Sequence, residues 1–135
     1  MQTGAKMPFP KNYSDLFKDE NKAYLFLATT MPDGSPQVTP VWFDHDEEHI
    51  FINTNEGRVK DQNMKARPKV AMVIQDPHDP YRYLQIRGEV AEFTREGADE
   101  HINKLSLKYK DKPWPYREGQ KRIIFKIKPN HFDQH

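Results

Sequence analysis

The sequence contains no cysteine, which excludes disulfides, thiolate zinc sites, iron–sulfur clusters and a cysteine nucleophile. Long hydrophobic runs are missing too. The longest apolar stretches, Tyr24 to Ala28 and Val70 to Ile74, fall far short of the roughly 20 residues of a membrane helix. Met1 to Asp15 holds no apolar core of the kind found in signal peptides, and neither end carries a lipidation signal. A cytoplasmic protein with no membrane partner is expected. Charge of one sign is scarce: Lys plus Arg is 21 and Asp plus Glu is 20. The basic excess that marks nucleic-acid binders is therefore absent, and nucleic acid is not an expected partner. No repeat, linker tract or GxGxxG motif is found, which argues for one compact unit and against a Rossmann site.

What is present is 135 residues, enough for one domain. Only 36% of them are hydrophobic, and 11 are proline, so one short chain either uses its core sparingly or completes it with a partner. Ser14 is placed to cap a short helix. Ala23 to Thr29 reads as a strand, and Gly34 suits a turn that needs positive φ. Gln37 to Phe43 reads as the next strand, with Val38, Pro40 and Trp42 on one face and Gln37, Thr39, Val41 and Phe43 on the other. Pro40 must then sit at a bulge or an edge. His49 to Thr54 is a strand, Gly57 to Arg67 a helix ended by Pro68, and Lys69 to Gln75 another strand. Tyr81 to Phe93 is a long strand bent near Gly88. Arg95 to Lys110 is helical, with Ala98, Ile102, Leu105 and Tyr109 along one stripe. Arg122 to Lys128 alternates as the last strand. This order, with short hairpins and no βαβ alternation, predicts a small antiparallel barrel.

The segment Asn53 to Asn63 carries the densest chemistry. A strand ends on Asn53 and Thr54, and a helix opens with Arg58 and Lys60. Helices favour acids in the first turn, so two bases there run against preference. Free helix N–H groups, a hydroxyl and two cations would suit a phosphate. An ordinary solvated basic face is the alternative. Gln37 to Trp42 can meet the rim of a planar heterocycle or can be a strand with mixed packing. Tyr81 to Gln85 suits ring stacking or a subunit interface. His131 and His135 are four apart without an HExxH pattern and read as a disordered tail, not a metal site. Asp44 to Glu48 lacks the calcium-loop pattern and reads as a solvated turn. No histidine is spaced to define a triad, so no catalytic side chain is assigned. The aromatic and basic stretch Lys104 to Arg117 reads as a loop packed on the barrel.

Taken together these segments resemble the pyridoxamine 5'-phosphate oxidase-like flavoproteins, and within them the small F420-dependent oxidoreductases of that class. The likeness is carried by Ala28-Thr29-Thr30 with Pro32-Asp33-Gly34, Pro36 to Phe43, Phe51 to Thr54, Gly57 to Asn63, Pro68 to Ala71, Asp76 to Tyr83, Ile86-Arg87-Gly88 and Lys108-Tyr109. It spans about residues 13–130 of a single domain covering 1–135. The resemblance implies a mainly β fold, a six-stranded antiparallel split β-barrel with short flanking helices. It further implies a homodimer with cofactor sites at the subunit interface and F420 or FMN as cofactor. The phosphate end would be held by Arg58 and Lys60, with Asn53, Thr54 and Asn63. The ring would lie against Gln37, Val38, Thr39 and Pro40. Groups around Tyr83 and Gln85 of the other subunit would complete the site. The long substrate-binding C-terminal region of the oxidases proper has no counterpart here. The implied activity is hydride transfer to a small planar conjugated substrate. FMN needs a compact anion pocket and F420 a longer basic track, which Lys65 and Arg67 could extend while Asp61 interrupts it. A non-catalytic protein that carries flavin, haem or another tetrapyrrole is the alternative, and a nucleic-acid-binding barrel built on Lys104 to Arg122 is a third.

Overall fold

A computed structural model describes residues 9–135. Seven strands form one antiparallel sheet in the order β2-β1-β5-β6-β7-β4-β3. They are β1 (Leu25–Thr30), β2 (Pro36–Val41), β3 (Asp44–His45), β4 (Ile50–Asn55), β5 (Lys69–Gln75), β6 (Tyr83–Thr94) and β7 (Arg122–Gln134). Six are the expected barrel strands; β3 is a two-residue addition at one edge. Two helices flank the sheet, α1 (Val59–Ala66) and α2 (Ala98–Lys110). Both are shorter at the N-terminus than periodicity suggests, because Gly57 (φ 95°) and Gly97 (φ 75°) hold left-handed backbone before them.

Alternation sets the two faces. Leu25, Leu27, Met72, Ile74, Leu84, Ile86, Phe125 and Ile127 point inward and are buried. Phe43, Ile50 and Ile52 close the same core. The opposite face carries cross-strand rows fixed by register. Val38, Ala28, Ala71, Arg87 and His131 form one, and Pro40, Phe26, Val73, Gln85 and Asp133 the next.

Pro40 lies on the edge strand β2, whose pairing with β1 runs without interruption, so an edge and not a bulge accommodates it. The bend in β6 coincides with register shifts between Arg87 and Gly88 and between Val90 and Glu92. A Cβ on Gly88 would stand 2.5 Å from the Lys128 carbonyl oxygen, so close backbone approach demands glycine there.

Two expectations need correction. The N-terminal helical segment is a 3-10 helix over Lys11–Phe17, entered from Pro10 with no side-chain cap; Ser14 sits inside it. The C-terminal residues are ordered: β7 runs to Gln134, His131 pairs with Arg87, and the His135 ring stacks on Tyr83 at 4.6 Å. Pairing with β6 supplies the hydrogen bonds that the polar sequence Asn130 to Gln134 could not signal alone. Among the described residues no helix is long and apolar enough to cross a membrane.

Candidate functional site

The strand β4 ends on Asn53, Thr54 and Asn55, and the chain turns through Gly57 into α1. Asp61 turns inward, its Oδ2 accepting from the Gly57 N–H at 2.8 Å and its Oδ1 lying 3.1 Å from the Lys65 ammonium. Asn63, buried, donates to Thr29 Oγ1 at 3.0 Å, and its Oδ1 accepts from Arg67 at 3.1 Å. Arg67 also donates from Nε to the Thr30 carbonyl at 2.7 Å. These bonds lash α1 to β1. They also consume Asp61, Asn63, Lys65 and Arg67 structurally: Asp61 does not interrupt a basic track, and Lys65 and Arg67 do not extend one.

Among the described residues the Arg58 and Lys60 side chains have no such ties, and they line a cavity of about 400 Å³ beside Asn53, Thr54 and Pro40. A second hollow of about 310 Å³, bordered by Gln37, Thr39 and Gly57, shares the same two cations. The edge strand β2 and the start of α1 thus converge, as the two motifs require. A third cation joins them. Arg122, the first residue of β7, is brought opposite Asn55 by the β4–β7 register and lines the larger cavity. In the sequence Arg122 is only the first residue of an alternating strand, and no local signal identifies it, because its neighbours come from across the sheet.

The electrostatics of this cluster are unfavourable as it stands. Burial, together with the charges of Arg58 and Arg122, pushes the Lys60 ammonium below its ordinary range. Burial and Arg58 push Arg122 down to about 10, partly opposed by Asp99. Among the described residues no carboxylate lies within salt-bridge distance of Arg58, Lys60 or Arg122. The N–H groups of Val59, Lys60 and Asp61 precede the first α-helical bond, from Gln62 to the Arg58 carbonyl. Three cations and a helix start facing one hollow form a site that an anion would neutralise.

The far wall is aromatic. Trp42 stacks on Tyr109 at 5.4 Å and meets Trp114 edge-on at 6.1 Å. Arg122 lies over the Trp114 ring at 5.2 Å, and Lys110 over Trp42 at 5.6 Å. Trp114 is held by its N–H to Asn103 Oδ1 at 2.8 Å and by its indole N–H to Gln120 at 3.2 Å. The segment after α2 is thus a loop packed on the barrel.

Three expected site residues do not border this cavity within one chain, two of which, Tyr83 and Gln85, are expected from the other subunit. Val38 points outward, 63% exposed. Tyr83 and Gln85 lie on β6, across the outward face from this cavity within one chain. Asn53 borders the cavity, but its amide already has partners: Nδ2 donates to the Ala98 carbonyl at 2.9 Å, and Oδ1 accepts from Arg122 Nε at 2.8 Å.

Among solved structures, an F420 reductase is 36% identical, with a TM-score of 0.81 covering 93% of this chain and 98% of that one. A conserved hypothetical protein from Mycobacterium tuberculosis shares the fold at 19% identity, TM-score 0.71, covering 99% and 89%. General Stress Protein 26 from Bacillus anthracis does so at 18% identity, TM-score 0.65, covering 91% and 93%. No curated protein matches. Residues 9–135 match the family described as pyridoxamine 5'-phosphate oxidase, so with its split-barrel sheet and the cation-lined hollow at the start of α1, the chain belongs to that family.

Proposed function

We propose that this protein is an oxidoreductase that holds F420 or FMN, with the phosphate end in the hollow formed by Arg58, Lys60 and Arg122. The observation that carries this reading is the concentration of three cations, Lys60 and Arg122 partly buried and Arg58 exposed beside them, with no carboxylate partner among the described residues. The likeness to an F420 reductase over nearly the whole chain favours F420 of the two. Thr54 and the α1 N–H groups add donors, and Asn63 contributes by fixing α1 to β1. When bound, such a group supplies hydride transfer to a planar conjugated substrate. The chain's own residues bind and orient it. Gln37, Thr39 and Pro40 offer an edge-strand platform for the ring, and Trp42 and Trp114 keep water from one wall of the cavity. No side chain is assigned as acid or base.

The outward sheet face supports a homodimer. Val38, Pro40, Phe26, Ala28, Ala71 and Val73 lie in adjacent cross-strand positions there, and a groove of about 470 Å³ runs beside them, bordered by Arg87 and His131. A second copy seated on this face would bury apolar surface that one chain leaves open. Tyr83 and Gln85 lie on the same face, which is how the partner's Tyr83 and the partner's Gln85 would reach the ring platform.

Titration of the purified chain with F420 and with FMN, followed by fluorescence, tests the reading. Binding of one of them tighter than about 100 μM, a threshold of about −5 kcal/mol, is expected. Failure of both to bind refutes it. Binding without oxidation of the reduced cofactor by any quinone or nitroaromatic acceptor would instead indicate a carrier.

A further inference from the structure

Behind the three cations lies a buried polar chain. Asp44 of β3 and His101 of α2 are both largely shielded, with 8% and 9% of their side chains exposed, and His101 Nε2 stands 2.6 Å from Asp44 Oδ1. His101 Nδ1 stands 3.0 Å from Asn53 Nδ2, and Asn53 Oδ1 accepts from Arg122 Nε at 2.8 Å. Lys104 adds a charge 3.3 Å from Asp44 Oδ2.

The hydrogens in this chain have one consistent arrangement. The Ala98 carbonyl can only accept, so the Asn53 amide must turn its NH₂ toward it. Arg122 Nε can only donate, so Asn53 Oδ1 must face Arg122. The second Asn53 N–H then points at His101 Nδ1, which must carry a lone pair. Its proton therefore sits on Nε2, where the Asp44 carboxylate receives it.

We infer that Asp44 and His101 are positioning residues: the Asp44 carboxylate selects the Nε2–H tautomer of His101, which locks the Asn53 amide and so aims the Arg122 guanidinium into the cavity. This rests on the reading of that cavity as the cofactor's anion site. The alternative tautomer would set a ring N–H against the Asn53 NH₂, two donors facing each other. Asn53 could answer only by turning its NH₂ onto Arg122 Nε, and the guanidinium would lose its anchor. A hydrogen-bonded orienter behind a ligating group is a common device where geometry decides affinity.

Asp44→Asn replaces the tautomer-selecting carboxylate with a group that can donate to the ring. Nitrogen-15 NMR of the histidine rings and of the Arg122 Nε–H, without ligand, reads the chain directly. The unaltered protein should show His101 bare at Nδ1 and the Arg122 Nε–H protected from exchange; Asp44→Asn should lose that protection. A His101 protonated at Nδ1 in the unaltered protein overturns the inference whatever the cofactor. Titration with F420 then closes a double-mutant cycle. Asp44→Asn should weaken binding about tenfold in the unaltered background, as expected for lost charge-assisted hydrogen bonding, and leave it unchanged in an Arg122→Met background. Equal weakening in both backgrounds overturns the inference. If Arg122→Met alone leaves affinity unchanged while the NMR result holds, the placement of the cofactor's anion on Arg122 fails, and with it the purpose assigned to the chain. Should Asp44→Asn not fold, His101→Gln repeats the cycle, since its amide can still meet Asp44 but offers no acceptor at the Nδ1 position.

Discussion

Lys60→Met should make the unliganded protein more stable and the cofactor complex weaker. The lysine is half-buried beside Arg58 and Arg122, and among the described residues no hydrogen bond or ion pair of its ammonium offsets that placement. Two like charges ~7 Å apart would repel by about 0.6 kcal/mol in bulk water and about 2.4 kcal/mol at an effective dielectric of 20. Arg122, pushed down to about 10 by burial and by Arg58, reports the same strain. Because both groups remain substantially exposed, solvent screening reduces the relief on removing Lys60 to about 1 kcal/mol. Methionine keeps the apolar stem of lysine, so little packing is lost. For a chain of this size, 1 kcal/mol corresponds to roughly 3–5 °C in Tm. The complex loses a charge-assisted contact worth about 1.5–3 kcal/mol, or roughly 10- to 150-fold in affinity. The assay is urea unfolding without ligand at low ionic strength, paired with cofactor titration. Added sodium chloride should narrow the stability gap by screening the repulsion. The pH dependence has a definite sign. A lysine whose folded pKa lies below its ordinary 10.5 holds fewer protons folded than unfolded between those values. Stability of the unaltered protein should therefore rise with pH through that window, and the rise should shrink in Lys60→Met. Lower stability of Lys60→Met in the absence of ligand refutes the picture of a hollow strained for an anion.

Gly88→Ala should destabilise by at least about 2 kcal/mol, because its Cβ would collide with the Lys128 backbone; chemical denaturation measures it, and a neutral result would mean that β7 yields easily. Ala71→Arg, on the outward face opposite Arg87, should convert a dimer to monomer in analytical ultracentrifugation and weaken cofactor binding with it; an unchanged sedimentation coefficient would place the interface elsewhere. Arg82 bonds Asp15 at 2.8 Å and Asp76 at 2.9 Å. The Arg82 hydrogen bond lowers Asp15, and the His78 backbone N–H with Arg82 lowers Asp76, both below 3.8. Their contribution is complete above that value and disappears as pH falls through the lowered ones, so Arg82→Met should flatten the acid limb of a stability–pH curve below about pH 5. An unaltered limb would assign acid unfolding to other carboxylates.

How much of this was legible beforehand follows the range of the interactions. The alternation of β2, the apolar stripe of α2 and the turn glycines are local properties, and each element formed where its pattern lay. Arg58 and Lys60 stood out because they oppose the helix dipole, again a local feature. Arg122 did not, since its meaning depends on a β4–β7 register that pairs it with Asn55. Asp44 looked like part of a solvated turn and is buried by α2, a helix distant in sequence. The strand character of Asn130 to Gln134 likewise comes from β6, not from its own composition. Lys65, Arg67 and Asp61 misled in the other direction. Their charges suggested a track, but hydrogen bonds to Asn63, the Thr30 carbonyl and the Gly57 N–H turn them to structural use.

The two prolines of β2 have a bearing on solubility. β2 is an outer strand of the sheet, and in an antiparallel pair alternate residues turn their N–H groups away from the neighbour. Pro36, Val38 and Pro40 share one parity, and two of those three positions have no N–H to offer. An incoming strand from another molecule would find one donor where a regular edge supplies three. The edge beside the hollow can thus stay open to a small ligand without becoming a template for fibrillar aggregation.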